Sequence, residues 1–436
     1  MSSDREELAS LSPEEKRALL KQLLRGKAAQ KKAGRAVDHA VSVTDLSAEV
    51  VLESGIQPES PPRTATEPAS IFLTGGTGFL GAFLLSGLLR HTQAQVHCLV
   101  RSREAGEGKE RIKRVLSFYS LWDEGLASRI LPVPGDLSES LFDLSRERFR
   151  ELAGRVDVIY HCGALVNWVY PYETLKPTNV LGTQEVLRLA GRVRAKPVHF
   201  VSTLGVFPLL GNAGSEAVRE GDPLDHGGAL FSGYTQSKWV AEKLVEIARE
   251  RGLPASVYRP ALVTGSGSTG AWNTDDFTCR VIKSWIELGI APEVEATMNM
   301  VPADYVGEAI VHLSLQEDSL GKNFHLANPR PVTPKELAAW IRAFGYPLQK
   351  IPYRAWRTAL TGPANGSFHP LAPLFSLGAS KDAPEMVQAI PEFDCQNTLD
   401  GLSGTAISCP PVDGRTFQDY LAFFVRSGFL PRPGDD

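Results

Sequence analysis

The sequence predicts a doubly wound α/β fold, a mainly parallel sheet wrapped by helices on both faces, followed by a smaller C-terminal subdomain. Three observations carry this reading. From Ser70 onward, short aliphatic or β-branched runs alternate with helical stretches, the pattern of successive βαβ units. The first run leads directly into three regularly spaced glycines and a helix. Beyond about residue 265 the alternation fades into Pro- and Gly-rich stretches such as 361–378.

A chain of 436 residues buries a substantial core, as one large domain with an appendage or as two domains. Its 46 Lys+Arg against 50 Asp+Glu give a net charge of -4, so no basic field points to nucleic acid or to an anionic membrane. The apolar runs are far shorter than a bilayer span, and charges occupy the N-terminus where a signal peptide needs an apolar stretch. A cytoplasmic protein is expected. Cys98, Cys162, Cys279, Cys395 and Cys409 are scattered without partner histidines or C-x-x-C spacing, so neither disulfides nor a metal site is expected.

Along the chain, residues 1–38 read as an amphipathic helix and a docking or linker segment. Ser12 is placed to cap, with Pro13 at the first helical position, Glu15 three residues after the cap, and Gly26 past the end. Leu19, Leu20, Leu23 and Leu24 form its apolar stripe. Residues 39–69 read as a linker into the fold, since ESGIQPESPPRTATEPA is rich in Pro, Ser and Glu. Residues 70–265 form the dinucleotide-type domain, and residues 266–436 the mainly substrate-side subdomain. Strands are expected at 71–74, 95–100, 129–133, 156–161, 198–203 and 255–259, with helices near 79–90, 179–193 and 234–251.

After the first strand comes Thr74-Gly75-Gly76-Thr77-Gly78-Phe79-Leu80-Gly81. Glycines at 75, 78 and 81 let the backbone turn tightly and approach a pyrophosphate at a helix N-terminus, where free N–H groups and the dipole favour negative charge. This is the Rossmann arrangement. About twenty residues on, where an acidic residue would hold an NAD ribose, the chain has Val100-Arg101-Ser102-Arg103. A guanidinium pairs with a 2′-phosphate that a carboxylate would repel, so NADPH is expected, with Arg101 as its partner and Arg111 assisting. For Arg103 and Arg111 a solvated basic loop is the competing reading. Asp136 and Leu137 follow the third strand, where a carboxylate would face an adenine. Cys162, Gly163 and Ala164 supply small residues after the fourth, with Cys162 read as a wall residue rather than a nucleophile.

Tyr234 and Lys238 stand i, i+4 at the start of a helix, so both emerge on one face. A nearby ammonium is expected to lower the phenol pKa and let Tyr234 donate a proton to a developing alkoxide. Ser202-Thr203 ends the preceding strand, at the carboxyl edge where open α/β sheets bind ligands. Thr203 is placed to polarise a carbonyl. Asn179, counted with the cofactor-binding residues, opens the next predicted helix, either as a cap or to order a water or backbone group in a proton relay. Asp304 is either functional or a helix cap. Phe207, Phe231 and Trp272 read equally well as core or as channel lining.

With these residues in place, the chain resembles the terminal thioester reductase domains of nonribosomal peptide and polyketide synthetases. These are extended short-chain dehydrogenases related to carboxylic acid and aminoadipate reductases. The resemblance spans roughly residues 42–435. It rests on the TGGTGFLG turn, CLVR, the VIYHCGALVNWVYPYETLKPTNVLGTQEVLRLA block, the Thr203/Tyr234/Lys238 set, YRP at 258–260, VPADYVGEAI, FDCQNTL, CPPVD and FVRSGFLP. It implies that an acyl or peptidyl group on the phosphopantetheine arm of a carrier protein is released as an aldehyde or, after a second reduction, an alcohol. No carrier sequence precedes the fold, so a free-standing reductase acting in trans is expected. Two alternatives stay open: a fatty acyl-CoA or acyl carrier protein reductase, and a non-catalytic NADP-binding docking protein.

Overall fold

The sheet of this protein is built from strands too short and too apolar to be stable except between two layers of helices. The computed structural model describes residues 46–61, 66–208, 217–224, 230, 232–361 and 391–435. The strands, in chain order, are β1 (Ser70–Thr74), β2 (Gln95–Val100), β3 (Ile130–Pro134), β4 (Val158–His161), β5 (Val198–Val201), β6 (Ala255–Pro260), β7 (Leu262–Thr264), β8 (Ile290–Glu293), β9 (Met300–Pro302), β10 (Asn323–Leu326) and β11 (Gln349–Pro352). Seven of them form one parallel sheet in the order β10-β6-β5-β4-β1-β2-β3. The strand order therefore reverses between β1 and β4, the place where doubly wound sheets open a crevice.

The helices are α1 (Phe79–His91), α2 (Ala105–Phe118), α3 (Arg146–Arg155), α4 (Tyr172–Lys176), α5 (Gly182–Gly191), α6 (Gly233–Glu250), α7 (Phe277–Leu288), α8 (Ala303–Ser314), α9 (Pro334–Phe344), α10 (Tyr353–Thr361), α11 (Gln396–Leu402) and α12 (Gly414–Arg426). Alternate residues of β1 feed opposite layers, Ile71 and Leu73 one core cluster and Phe72 the other, the two-residue period of a strand buried on both faces. Helices α1 and α8 cross closely: a Cβ on Gly87 would lie 3.2 Å from Val311, and one on Gly307 3.3 Å from Phe83. Glu308 closes that contact by accepting from Arg90 at 2.5 Å and from His91 at 2.6 Å. Among the described residues, no helix is long and apolar enough to cross a membrane.

The structure departs from the sequence reading in three places. Within the stretch read as a linker, the described residues 46–61 pack onto the body. Leu46, Leu52 and Ile56 are buried, Arg251 donates to the carbonyls of Leu52, Glu53 and Ile56, and the Glu59 N–H donates to Gly191 O at 2.9 Å. Its Pro and Ser content reflects an irregular path rather than freedom. Residue 265 marks no break, because β10 joins the main sheet beside β6 and α8 covers α1. The helix expected from Asn179 begins earlier, at Tyr172, and passes through a π-turn over Pro177–Leu181. The helix and basic run expected within residues 1–38 lie outside the described residues, as does Phe231.

The C-terminal segment is fastened to the sheet through Glu220. Its carboxylate, 3% exposed, accepts from the N–H groups of His325 at 2.8 Å and Asn397 at 2.6 Å, and from the Thr398 hydroxyl at 3.0 Å. Replacing Glu220 by Ala strands these buried donors, so urea unfolding should show a loss of about 2–3 kcal/mol; a loss within experimental error would mean that the segment is held by its apolar contacts alone.

Candidate active site

The carboxyl ends of β1 and β4 are tied to each other before any ligand is considered. Thr74, fully buried at the end of β1, lies 2.7 Å from His161 Nδ1 and accepts from the Gly163 N–H at 3.0 Å. His161 Nε2 reaches Thr183 on α5 at 3.0 Å, and burial, with the Lys238 charge second, holds the imidazole neutral by pushing its pKa well down. The Thr74 hydroxyl is thus committed to shaping the crevice. Gly75 follows at φ 80°, and a Cβ there would lie 2.6 Å from Gly163 N, so only glycine fits.

The turn then opens into α1. Gly78 is its N-cap, exposed and without a capping side chain, which leaves the first N–H groups facing the crevice. A Cβ on Gly81 would collide with the Gly75 carbonyl, so the helix sits directly on the turn. Thr77, Phe79 and Leu80 are half-buried around this mouth, with the Phe79 ring 5.2 Å from that of Tyr119. At the end of β2, Arg101 is exposed, its carbonyl accepts from Arg111 Nη1 at 2.9 Å, and the buried Ser102 hydroxyl has no partner among the described residues. Arg111 therefore pins the loop that presents Arg101. Asp136 caps its own turn, accepting from the Ser138 N–H at 3.0 Å and hydroxyl at 2.9 Å, and Leu137 packs against Gly163 and Gly182. A glycine cradle, a bare helix N-terminus and an unpartnered hydroxyl beside an arginine fit a phosphorylated dinucleotide.

Helix α6, which carries Tyr234 and Lys238, starts in a capping box, in which Ser232 Oγ accepts from Thr235 N at 3.2 Å and Thr235 Oγ1 accepts from Ser232 N at 3.1 Å. This fixes Tyr234 and Lys238 in its first turn and a half. Lys238, 3% exposed, donates to Val201 O at 2.8 Å and lies 4.0 Å from the Phe200 ring, so it is anchored to the end of β5. Thr203, two residues beyond Val201, is half-buried and accepts from the Gly205 N–H at 3.1 Å. A Cβ on Gly205 would touch both Thr235 and Thr203, at 3.0 and 3.5 Å, which shows how closely the end of β5 meets α6. Thr203, Tyr234 and Lys238 are thereby gathered at one carboxyl edge. Ser202, adjacent to Thr203, is buried, and its hydroxyl has no partner among the described residues.

Burial pushes the Tyr234 phenol up, with the Cys162 thiol and the Asp276 carboxyl adding to the rise. This is the reverse of the lowering expected from a neighbouring ammonium. The reason is that a phenolate here would lose its water and face groups that are neutral or acidic, while the Lys238 amine is directed at Val201 O. Burial lowers Lys238 to about 8, opposed by Glu242 and Cys162. Cys162 itself is pushed to about 12 by burial, a protonated thiol.

Asn179 is neither exposed nor a cap. It lies in the π-turn, 1% exposed, with Oδ1 accepting from Leu165 N at 2.7 Å and Nδ2 donating to Leu165 O at 3.1 Å and Ser237 Oγ at 2.9 Å. Ser237 in turn donates to the Tyr234 carbonyl at 2.8 Å, so Asn179 links the loop after β4 to the first turn of α6. Asp304 sits in the first turn of α8 and accepts from the N–H groups of Gly267 at 3.0 Å and Ser268 at 3.1 Å, bracing that loop. Phe207 and Trp272 are core residues, Trp272 stacking 5.7 Å from Phe424. Sequence reasoning missed Trp168, whose ring lies 5.4 Å from Tyr234 and 6.3 Å from Phe277, and Asp276, the cap of α7, raised by burial to about 6. Both stand on loop positions that periodicity does not reach.

Comparison with known proteins places this geometry. A linear gramicidin synthase protein of Brevibacillus parabrevis is 42% identical over 401 residues, 90% of this chain but 8% of that synthase. The L-2-aminoadipate reductase of Saccharomyces cerevisiae is 34% identical over 390 residues, 84% of this chain and 28% of that enzyme. The chain thus spans only a small part of these curated relatives. The crystal structure of the terminal R domain from the myxalamid PKS-NRPS biosynthetic pathway is 44% identical, covers 90% of this chain and 99% of its own, and superposes with a TM-score of 0.84. The profile of the family described as male sterility protein matches residues 73–310, more than half of the chain. With its parallel sheet, its NAD(P)-type turn and these relatives, the chain belongs to that family and, within it, to the reductase (R) domains of peptide and polyketide synthetases.

Proposed function

We propose that this chain is an NADPH-dependent thioester reductase, which releases an acyl or peptidyl group from the phosphopantetheine arm of a carrier protein as an aldehyde. The observation that carries the reading is the placement of Thr203, Tyr234 and Lys238 at one sheet edge, beside a glycine turn built for a dinucleotide. Bound NADPH would supply the hydride. Thr74 through Gly81 would hold its pyrophosphate, Arg101 and Ser102 its 2′-phosphate, and Lys238 its nicotinamide ribose. The Thr203 hydroxyl donates to the thioester carbonyl oxygen and polarises it. Tyr234, kept protonated by its burial, gives its proton to the oxygen as negative charge develops there. The resulting thiohemiacetal collapses to the aldehyde and the free pantetheine thiol. An acyl carrier as partner follows from kinship with synthetase domains, and delivery of that carrier in trans, in the cytoplasm, is the finer part of the proposal.

The test follows NADPH absorbance with acyl-phosphopantetheinyl carriers supplied as separate proteins, with matching acyl-CoA thioesters and NADH as controls. Oxidation of NADPH with carrier-bound thioester and release of an aldehyde is the expected result. Turnover only with long-chain acyl-CoA, or none with any thioester, would overturn it. Three further outcomes are expected. Tyr234→Phe should lower kcat by roughly 10²- to 10⁴-fold while NADPH still binds. Arg101→Glu should raise the NADPH Kd by roughly 10- to 100-fold and leave NADH binding much less affected. The pH–rate profile should fall as pH rises through about 8, because Lys238, lowered by burial, is an ammonium below that value and loses its proton above it; a rate that stays flat to well above this pH would exclude a need for the charged lysine.

A further inference from the structure

We infer that Glu242, paired with Arg259 beneath the catalytic helix, is a positioning residue that keeps Lys238 in its ammonium form. The inference rests on the reading of Lys238 as a working group of the reductase. Tyr234, Lys238 and Glu242 succeed one another at four-residue intervals on α6, so Glu242 lies one turn behind the lysine on the same face. Glu242 and Arg259 are both 0% exposed. Arg259 Nε donates to Glu242 Oε1 at 2.8 Å and Nη2 to the same oxygen at 2.5 Å. The remaining Arg259 nitrogen, Nη1, donates to Glu220 O at 3.1 Å and lies 3.0 Å from Nε2 of His325, an imidazole that burial keeps neutral.

The second carboxylate oxygen, Oε2, is buried and has no hydrogen-bond partner among the described residues. A buried ion pair contributes little to stability compared with apolar residues of the same volume, and an oxygen left without donors makes this one poorer still. The pair is neutral as a whole, but Arg259 engages only Oε1 and the carboxylate stands one helical turn from Lys238, so it is the negative end of the pair that faces the lysine in a low-dielectric interior. The other groups around Lys238 do not supply it. Val201 offers a carbonyl and Phe200 a ring face from β5, His161 on β4 is a neutral imidazole, and the thiol of Cys162 is protonated. Tyr234 on the same helix is a neutral phenol. Arg249, further along α6, is also within the field of Glu242. Burial drives Lys238 toward the neutral amine, and Glu242 opposes it first, with the Cys162 thiol second.

The test titrates Lys238 directly in the whole protein, by NMR of ¹³C-labelled lysine with Lys238→Met to assign the resonance, alongside the pH–rate profile. Glu242→Gln removes the charge but leaves Arg259 buried alone. The double variant Glu242→Gln/Arg259→Met replaces the pair with neutral groups and remains informative if the single variant does not fold. In every folded variant lacking the carboxylate, the Lys238 midpoint should move down by on the order of one pH unit, with the alkaline limb of the rate profile following it. Glu242→Asp should restore part of the shift. A Lys238 midpoint at the wild-type position in the folded double variant, whatever its thermal stability, would overturn the inference. Because the NMR titration needs no substrate, failure of the wild type to reduce any thioester would count against the proposed function and not against this assignment.

Discussion

The crevice of this protein depends on one small knot of hydrogen bonds. Thr74 at the end of β1 holds both the His161 ring and the Gly163 N–H at the end of β4, across the point where the strand order reverses. An open parallel sheet splays at that point because the chains leaving adjacent strands turn toward opposite faces. Binding the two strand ends together converts the splay into a cleft of fixed width. Gly75 and Gly81 then bring backbone against backbone where any side chain would collide, and α1 can aim its uncapped N-terminus into the opening. The price is a buried histidine, kept neutral by its surroundings and committed at both nitrogens.

Tyr234 and Lys238 are held by equally short connections. The Lys238 amine reaches Val201, the capping box of Ser232 and Thr235 sets the first turn of α6, and Asn179 with Ser237 joins the loop after β4 to the Tyr234 backbone. The end of β5, the loop after β4 and the first turns of α6 are thus tied together around Tyr234 and Lys238. Burial then decides the protonation states. It raises Tyr234 and Cys162 and lowers Lys238, so Tyr234 is a neutral phenol while the amine sits close to its titration point. A proton donor and a cation whose charge is easily tuned suit carbonyl reduction near neutral pH.

Much of this was legible in the sequence because it follows from local rules. The apolar run QVHCLV matches β2 from end to end, and the glycine spacing at 75, 78 and 81 has no comparable structural use elsewhere in a βα turn. The i, i+4 relation of Tyr234 and Lys238 is a property of any helix. What escaped depends on residues distant in sequence. The π-turn around Asn179 is imposed by packing between the 165 loop and α6, and Pro177 offered no sign that a helix had already begun. The 46–60 stretch looked like a linker by composition, yet Leu52 and Ile56 are core residues held by Arg251 from the far end of α6. β10 lies where the alternation had faded, and its place is set by pairing with β6. The direction of the Tyr234 shift was misread because spacing gives proximity to a lysine but not the burial that outweighs it.

If a carrier-bound carbonyl is reduced in this crevice, the hydride of the dinucleotide must end on the thioester carbon. The most direct measurement supplies NADPH deuterated at its transferable position, together with an acyl-phosphopantetheinyl carrier, and examines the released product by mass spectrometry. The expected product is an aldehyde, or the alcohol derived from it, carrying deuterium on the former thioester carbon, formed roughly 10²- to 10⁴-fold more slowly when Tyr234→Phe replaces the wild type. Release of the free acid, or of a product without deuterium on that carbon, would contradict it.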